Sequence, residues 1–192
     1  MKNLTHLAVY CGSAPGSNPL FAQAARETAE AMVSRGVDLV YGGGRLGLMG
    51  LIADHVLELG GRVDGVIPEA LVNLEVAHTG VTELYRVETM HERKAKMTEL
   101  ADAFLALPGG IGTLDELFEA WSWNALGYHA KPFCLLNVDG FWDGLIEFMD
   151  HATESGFLSQ QRRRQLMVAS TPDEALERLD EAAAAATQGM VW

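Results

Sequence analysis

The feature that most constrains this fold is a regular alternation between short apolar runs and longer segments with helical periodicity, with Gly or Pro at the switches. The strand-like runs occupy residues 4–10, 37–44, 61–68, 84–88, 102–110, 131–138 and 165–170. The helical patterns occupy residues 19–34, 48–59, 89–101, 111–127, 141–156 and 172–186. Because each strand is an almost unbroken apolar run, the pattern predicts a mainly parallel sheet covered by helices on both faces.

We therefore predict a single doubly wound, Rossmann-like α/β domain over residues 1–186, with a frayed tail at 187–192. Ligands of such sheets lie beyond the carboxyl ends of the strands, so the loops that follow the strands are the candidate functional segments. Residues 69–83 show no clear period and are predicted to form an irregular loop over the site.

The charge of the chain limits its partners. It carries 14 Lys and Arg against 26 Asp and Glu, a formal net charge of −12. A protein that holds DNA or RNA neutralises many phosphates with basic side chains, so this charge argues against a nucleic-acid partner. A small anionic ligand is still compatible, because backbone N–H groups at a helix N-terminus bind one phosphate whatever the global charge.

Cys11 and Cys134 stand in apolar, strand-like segments, with neither a CxxC pair nor a Cys and His cluster at metal spacing. We interpret both as reduced core residues and expect no bound metal. Apolar runs all fall short of the roughly 18 residues that a membrane span needs, and the N-terminal run is too short for a secretory signal. These features predict a cytoplasmic protein without a membrane partner.

The loop after the second predicted strand matches GxGxxG through Gly42, Gly44 and Gly47. Between a strand and a helix this motif is typical of dinucleotide binding, and Asp64 stands at about the distance at which such proteins place an acid for the ribose. The motif follows the second strand rather than the first, however, and the same glycines would serve a tight turn that needs positive φ angles. Both interpretations stay open at this point.

A second glycine loop, LPGGIGTLDE at residues 107–116, stands at the start of a predicted helix. Its glycines, Gly109, Gly110 and Gly112, allow a ligand to approach the backbone closely. The N–H groups of Gly112 and Thr113, with the threonine hydroxyl, would cradle a phosphate. This loop is therefore a candidate phosphate site.

Two acids in the same motif, Asp115 and Glu116, follow the proposed phosphate position. They would repel a phosphate unless they point elsewhere, which favours a carboxylate kept for chemistry. The alternative is an ordinary helix start, whose macrodipole favours acidic residues in the first turn.

The third candidate segment is MHERKA at residues 90–95, in a predicted helix rich in charge and Met. Glu92 and Lys96 are four residues apart, and i,i+4 pairing on a solvated face would account for most of these charges. Arg93 is the residue that we single out. If this helix begins over the carboxyl edge of the sheet, the planar guanidinium can reach a phosphate or a ribose.

The segments GGGRLGLMG, MHERK and PGGIGTLDE, in this order and at these spacings, resemble the LOG family of cytokinin riboside 5′-monophosphate phosphoribohydrolases. Many members carry the older label lysine decarboxylase-like, although this chain shows no setting for a pyridoxal phosphate lysine. The resemblance extends from CGSAPG to LGYHAKP and implies that Arg93 and Glu116 are the catalytic pair. It also implies substrate contacts from Gly43, Gly44, Glu75, Met90, Lys94, Gly109, Gly110, Ile111, Gly112, Thr113, Leu114 and Asp115.

The reaction that the resemblance implies is hydrolysis of the N-glycosidic bond of an N6-modified AMP, which gives the free base and ribose 5-phosphate. The transition state resembles an oxocarbenium ion, so Glu116 would stabilise the developing charge and orient or deprotonate water. Arg93 would hold the substrate and, by pairing with Glu116, keep that carboxylate ionised. No metal or other cofactor is required. The N6 substituent is left undetermined by these residues.

The resemblance further implies a homodimer in which the neighbouring subunit helps to line the site. The aromatic helix predicted at 111–127 agrees with this, because Phe118, Trp121 and Trp123 give it more apolar surface than one sheet face usually covers. A helix packed entirely within one subunit is the alternative.

Two other functions stay open. One is a noncatalytic carrier of a nucleotide or cofactor on the same fold, which would have no need of a pair such as Arg93 and Glu116. The other is a dinucleotide-dependent oxidoreductase built on GGGRLG with Asp64, which would leave the second glycine loop without a role.

Overall fold

A computed structural model describes residues 4–73 and 76–188. The strands in these ranges are β1 His6–Tyr10, β2 Asp38–Tyr41, β3 Val63–Pro68, β4 Glu83–Val87, β5 Ala103–Ala106, β6 Phe133–Leu136 and β7 Leu166–Ala169. They form one sheet in the order β4-β3-β2-β1-β5-β6-β7. Every neighbouring pair is parallel, so the predicted doubly wound α/β fold is confirmed.

The helices are α1 Pro19–Ser34, α2 Gly47–Glu58, α3 Met90–Leu100, α4 Ile111–Ala125, α5 Asp143–Glu154, α6 Gln160–Gln165 and α7 Pro172–Gln188. Short 3₁₀ turns cover Glu69–Leu71 and Val138–Gly140. Among the residues that the structure describes, the helices are all too short or too polar to cross a membrane.

Helix α6 was not predicted from the sequence. Its residues, QQRRRQ, are all polar and therefore carry no apolar periodicity. Ser159 caps this helix, because its hydroxyl accepts a hydrogen bond from the Arg162 N–H at 3.2 Å. At the other end of the chain, α7 continues through Gln188, beyond its predicted end, and the remainder of the predicted tail (189–192) lies outside the described residues.

The two faces of the sheet bury separate cores, as the alternation of side chains along β1 shows. Leu7 and Val9 pack with α1, α2 and α7, whereas Ala8 and Tyr10 pack with α3, α4 and α5. Cys11 and Cys134 are both buried and unpaired, as predicted. Burial is the main cause that raises the pKa of the Cys134 thiol to about 12.

The topology places the ligand crevice between β1 and β5. The chain progresses outward in one direction from β1 through β4 and in the other from β5 through β7, so the loops after β1 and β5 diverge at this point. The backbone joins the two loops, because the Leu107 N–H donates to the Tyr10 carbonyl at 2.9 Å and the Gly12 N–H to the Pro108 carbonyl at 3.1 Å. A cavity of about 280 Å³ opens beside this junction, lined by residues 12–16, Gly109 and Gly110 among others.

Candidate active site

The N-terminus of α2, which follows the first glycine loop, is closed by the protein itself. The N–H groups of Leu48 and Met49 donate to the Gly12 carbonyl at 3.0 and 3.4 Å. A Cβ on Gly47 would lie 2.3 Å from the carbonyl carbon of Ser13, so the β1 loop packs directly on the start of α2. These two N–H groups of the first turn are therefore not available to a pyrophosphate.

Asp64 does not reach a ribose either. It is the second residue of β3, so it lies near the amino end of that strand and not at the ligand edge. Its buried carboxylate binds Arg62 through two hydrogen bonds, at 2.8 and 3.3 Å. The interpretation of GGGRLG with Asp64 as a dinucleotide site is therefore wrong, because both elements of that site are occupied by protein groups.

The N-terminus of α4, which follows the second glycine loop, is open. Its N-cap is Gly110, which has no side chain to accept from the first turn. A Cβ on Gly110 or Gly112 would meet nothing within 4 Å, and Ile111 is 87% exposed. Because the first N–H groups of a helix have no intrahelical partner, this turn is available to an anion.

The base of the same loop is tightly packed. A Cβ on Gly109 would lie 2.0 Å from the Thr113 hydroxyl oxygen and 2.9 Å from the Gly12 nitrogen. Thr113 itself is buried. Gly109 is thus the glycine that allows the loop to pack closely against Thr113 and Gly12. Gly110 is the glycine that leaves space in front of the helix.

Arg93 lies at the carboxyl edge of the sheet with its guanidinium almost fully buried, only 3% exposed. Its Nε donates to the Val66 carbonyl at 3.1 Å and its Nη2 to the Gly42 carbonyl at 2.6 Å, while Nη1 lies 3.8 Å from the Met90 sulfur. Thr89 starts α3 at this point by accepting from the Glu92 N–H at 3.1 Å. One carbonyl, that of Val66, lies within β3, and the other, that of Gly42, lies in the loop after the neighbouring β2. Together they fix the direction of the guanidinium plane.

Lys94 joins the N-terminal halves of α3 and α4. Its Nζ lies 3.0 Å from the Asp115 carboxylate and 3.1 Å from the Glu119 carboxylate. Burial lowers the pKa of Lys94, but the hydrogen bonds to Asp115 and Glu119 outweigh burial and raise it overall. Lys94 therefore compensates the negative charge of Asp115, close to the open helix terminus.

The i,i+4 pairing of Glu92 with Lys96, the alternative explanation of this charged segment, does not form. Glu92 instead accepts a hydrogen bond from the Glu88 N–H at 2.9 Å, as part of the start of α3. Lys96 pairs with Glu99 at 3.1 Å and lies over the Tyr85 ring. Glu92 therefore takes part in capping the start of α3 and does not pair with Lys96.

Glu116 is half-buried on α4, close enough to the carboxyl end of β1 for its charge to act on Tyr10 and Cys11. Burial is the first cause that raises the pKa of the Cys11 thiol and of the Tyr10 phenol, and the Glu116 carboxylate raises both further. Glu116 follows Asp115 and Arg93 precedes Lys94, so the Lys94–Asp115 ion pair joins α3 and α4 at the positions next to the two predicted catalytic residues.

The remaining predicted contacts divide into three groups. Met90 and Leu114 lie in the first turns of α3 and α4, beside the candidate site. Gly43 and Gly44 lie against residues 76–78, because the Gly43 carbonyl accepts from the backbone of this segment and Gly44 forms a bridge with it. Glu75 lies outside the described residues. Among the described residues, clusters of three or more His, Cys, Asp or Glu that suit a metal ion are absent.

One arrangement near the site was missed by the sequence analysis. The buried His78 imidazole lies 2.9 Å from the Asp54 carboxylate of α2, next to the first glycine loop. The two residues are far apart in the sequence and carry no spacing signal, so only the fold brings them together.

The fold and this edge define a Rossmann-like α/β protein with an open helix terminus, a buried arginine and a carboxylate near the carboxyl ends of its strands. Residues 49–179 match the family model described as "Possible lysine decarboxylase". The chain is 48% identical to a rice (Oryza sativa subsp. japonica) cytokinin riboside 5′-monophosphate phosphoribohydrolase, over 97% of this chain and 77% of the relative. An Arabidopsis thaliana protein of the same description is 46% identical, over 91% and 82% of the two chains. The chain belongs to the LOG family of phosphoribohydrolases.

Solved structures of other proteins share the fold. The molybdenum cofactor carrier protein of Chlamydomonas reinhardtii superposes with a TM-score of 0.71 at 19% identity, over 94% of this chain and 99% of that one. A molybdenum cofactor binding protein from Rippkaea orientalis gives a TM-score of 0.68 at 20% identity, over 93% and 96%. At this identity the similarity establishes the architecture alone.

Proposed function

We propose that this protein hydrolyses the N-glycosidic bond of an N6-substituted adenosine 5′-monophosphate and releases the free base and ribose 5-phosphate. Family membership supports the reaction, since the relatives at 46 and 48% identity are named for it. The structural observation that carries the proposal is the open N-terminus of α4, next to the buried Arg93.

The 5′-phosphate binds at the start of α4, where N–H groups of Ile111, Gly112 and Thr113 point out of the helix. Gly109 and Gly110 bring the preceding backbone close to it. Gly43 and Gly44 supply the wall on the side of the first glycine loop. This remote binding energy positions the sugar for reaction and explains a preference for the monophosphate over the nucleoside.

Asp115 does not oppose the bound phosphate, because Lys94 compensates its charge at 3.0 Å. Lys94 thereby keeps the helix terminus suited to an anion. Met90 and Leu114 offer apolar surface to the purine, and Glu75 contacts the ribose or the base. These contacts set the orientation in which the anomeric carbon faces Glu116.

In the chemical step, a water oxygen forms a bond to the anomeric carbon while the bond from that carbon to the purine nitrogen breaks. Glu116 stabilises the oxocarbenium-like transition state and orients the water or takes its proton. Arg93 holds the sugar phosphate and keeps Glu116 ionised. The base leaves with the electron pair of the broken bond and takes up, overall, the proton that the water loses.

The test is incubation of the purified protein with AMP and with N6-isopentenyl-AMP, with the free base measured by chromatography. Glu116→Gln and Arg93→Ala are expected to lower the rate by roughly 100-fold or more, in the range for acid–base groups. Glu99→Gln, at the far end of α3, is the matched control and is expected to retain the wild-type rate. A wild-type protein that binds the nucleotide but releases no base would instead be a carrier.

We further propose a homodimer that works on this small molecule in the cytoplasm, without a nucleic-acid or membrane partner. Apolar side chains around α4 and α5 support a second copy, since Leu126 is 71% exposed, Phe148 59% and Phe157 91%. Light scattering after gel filtration tests the oligomer. A Phe157→Ser variant is expected to shift the protein towards the monomer.

A further inference from the structure

Residues 76–80, the 76–80 segment, are attached to the first glycine loop by contacts between the two backbones. The His78 N–H donates to the Gly43 carbonyl at 2.9 Å. Gly44 and Ala77 form an isolated antiparallel bridge beside this hydrogen bond. The glycine loop is therefore held by a short partner that lies outside the parallel sheet.

The side chain of His78 anchors this segment to α2. The imidazole is buried, and its Nε2 lies 2.9 Å from the Asp54 carboxylate. On the other side of the ring, Nδ1 accepts from the Gly80 N–H at 3.2 Å. Because Nδ1 is an acceptor, the ring proton stands on Nε2 and is donated to Asp54. One tautomer thus satisfies both partners.

The anchored loop in turn holds the guanidinium of Arg93. The Gly42 carbonyl accepts from Arg93 Nη2 at 2.6 Å, and the next carbonyl, that of Gly43, accepts from His78. Gly43 has a φ of +75°, with Ile67 too close for an ordinary Cβ. Two consecutive carbonyls are therefore fixed by different partners, one by the arginine and one by the 76–80 segment.

We propose that Asp54 and His78 are a positioning pair for the reaction. By fixing the 76–80 segment to α2, they hold the glycine loop where the Gly42 carbonyl aims the Arg93 guanidinium. The inference rests on the proposed function, because Arg93 is the group that is positioned. Both residues act through the backbone and neither contacts the reacting atoms.

The kinetic test uses His78→Ala, Asp54→Ala and the double variant with N6-isopentenyl-AMP. Each single variant is expected to lower kcat by about 10-fold or more, since small displacements of a catalytic group cost up to about 100-fold. KM is expected to change by a smaller factor than kcat, because the phosphate contacts on α4 are untouched and only the wall formed by Gly43 and Gly44 moves. The double variant is expected to be no slower than either single variant, as for groups that act as a unit. If the two single substitutions instead lower kcat independently, so that their factors multiply in the double variant, Asp54 and His78 do not act as a pair.

Val56→Ala is the matched control, since Val56 is a buried core residue on the same helix as Asp54. It is expected to lower Tm but to retain the wild-type kcat at temperatures where the protein is folded. His78→Gln can donate from its amide nitrogen to Asp54 and is expected to recover most of the kcat that His78→Ala loses. Equal kcat values for Val56→Ala and His78→Ala at the same folded fraction would refute a positioning role.

Amide hydrogen exchange separates this inference from the proposed function. The Arg45 N–H donates to the Val76 carbonyl at 2.9 Å, so its exchange reports whether the 76–80 segment is attached. Faster exchange at Arg45 in His78→Ala, but not in Val56→Ala, is expected. Unchanged exchange overturns the anchor even in an active enzyme. If the variants show this exchange pattern but the wild-type protein releases no base, the anchor stands and the proposed function is overturned. The anchor then has no catalytic purpose.

Discussion

The Nη2 atom of Arg93 donates to the carbonyl of Gly42 at 2.6 Å, and the two residues are so close that a Cβ on Gly42 would lie 2.2 Å from the same nitrogen. Position 42 therefore requires glycine because a side chain there would clash with Arg93, and not only because of the backbone turn. This relationship connects the first glycine motif to the site through Arg93.

Gly42→Ala is expected to displace the guanidinium and to lower kcat by about 10-fold or more, because the methyl group and Nη2 cannot occupy the same space. Steady-state kinetics on the monophosphate substrate measure this effect. Gly144→Ala is the matched control, since a Cβ there meets nothing within 4 Å and the residue lies in α5. Wild-type kcat in Gly42→Ala would show that the position of Arg93 does not limit the reaction.

Gly110→Ala is expected to fold normally and to bind the monophosphate more weakly. The added methyl group meets no protein atom within 4 Å, but it stands in front of the open start of α4. We expect KM for the monophosphate to rise by about 10-fold, as for one lost phosphate contact, with Tm unchanged. Substrate titration and thermal unfolding together measure the change, and an unchanged KM would place the phosphate elsewhere.

Gly47→Ala is expected to destabilise the protein by about 2 kcal/mol or more, because the residue has a positive φ and no room for a side chain. Its φ is +59°, and a Cβ would lie 2.3 Å from the Ser13 carbonyl carbon. Urea denaturation measures the free energy of unfolding. A variant of normal stability that had lost only ligand binding would instead indicate a phosphate at the start of α2.

His129 is expected to make the folded state sensitive to acid. Burial, followed by the charge of Lys131, lowers the pKa of His129 from 6.5 to about 4. Between these two pH values the unfolded chain binds a proton that the folded chain does not, so this contribution to stability is complete above pH 6.5 and is lost as the pH falls to about 4. The Tm of wild type should therefore fall more steeply over this range than the Tm of His129→Gln. Parallel curves of Tm against pH for the two proteins would contradict the low pKa of His129.

The sequence predicted much of this architecture because buried parallel strands must be apolar and their covering helices must be amphipathic. Helix α6 escaped prediction, since its stability comes from a capping serine and not from apolar periodicity. The i,i+4 spacing of Glu92 and Lys96 suggested an ion pair as an alternative explanation of this segment, but the pair is absent because Glu92 serves the start of α3. Local patterns thus identified elements reliably where burial dictated them, and less well where polar groups had competing partners.

By itself the sequence determined the fold class, the order of strands and helices along the chain, and the motifs that bear Arg93 and Glu116. Only the tertiary structure decided which glycine loop leaves a helix terminus open. The Gly12 carbonyl closes α2 and no side chain closes α4, a difference that two similar glycine patterns do not encode. The physical reason is that glycines specify the local backbone angles that a turn needs, whereas the partner of a helix terminus comes from a strand loop distant in the chain.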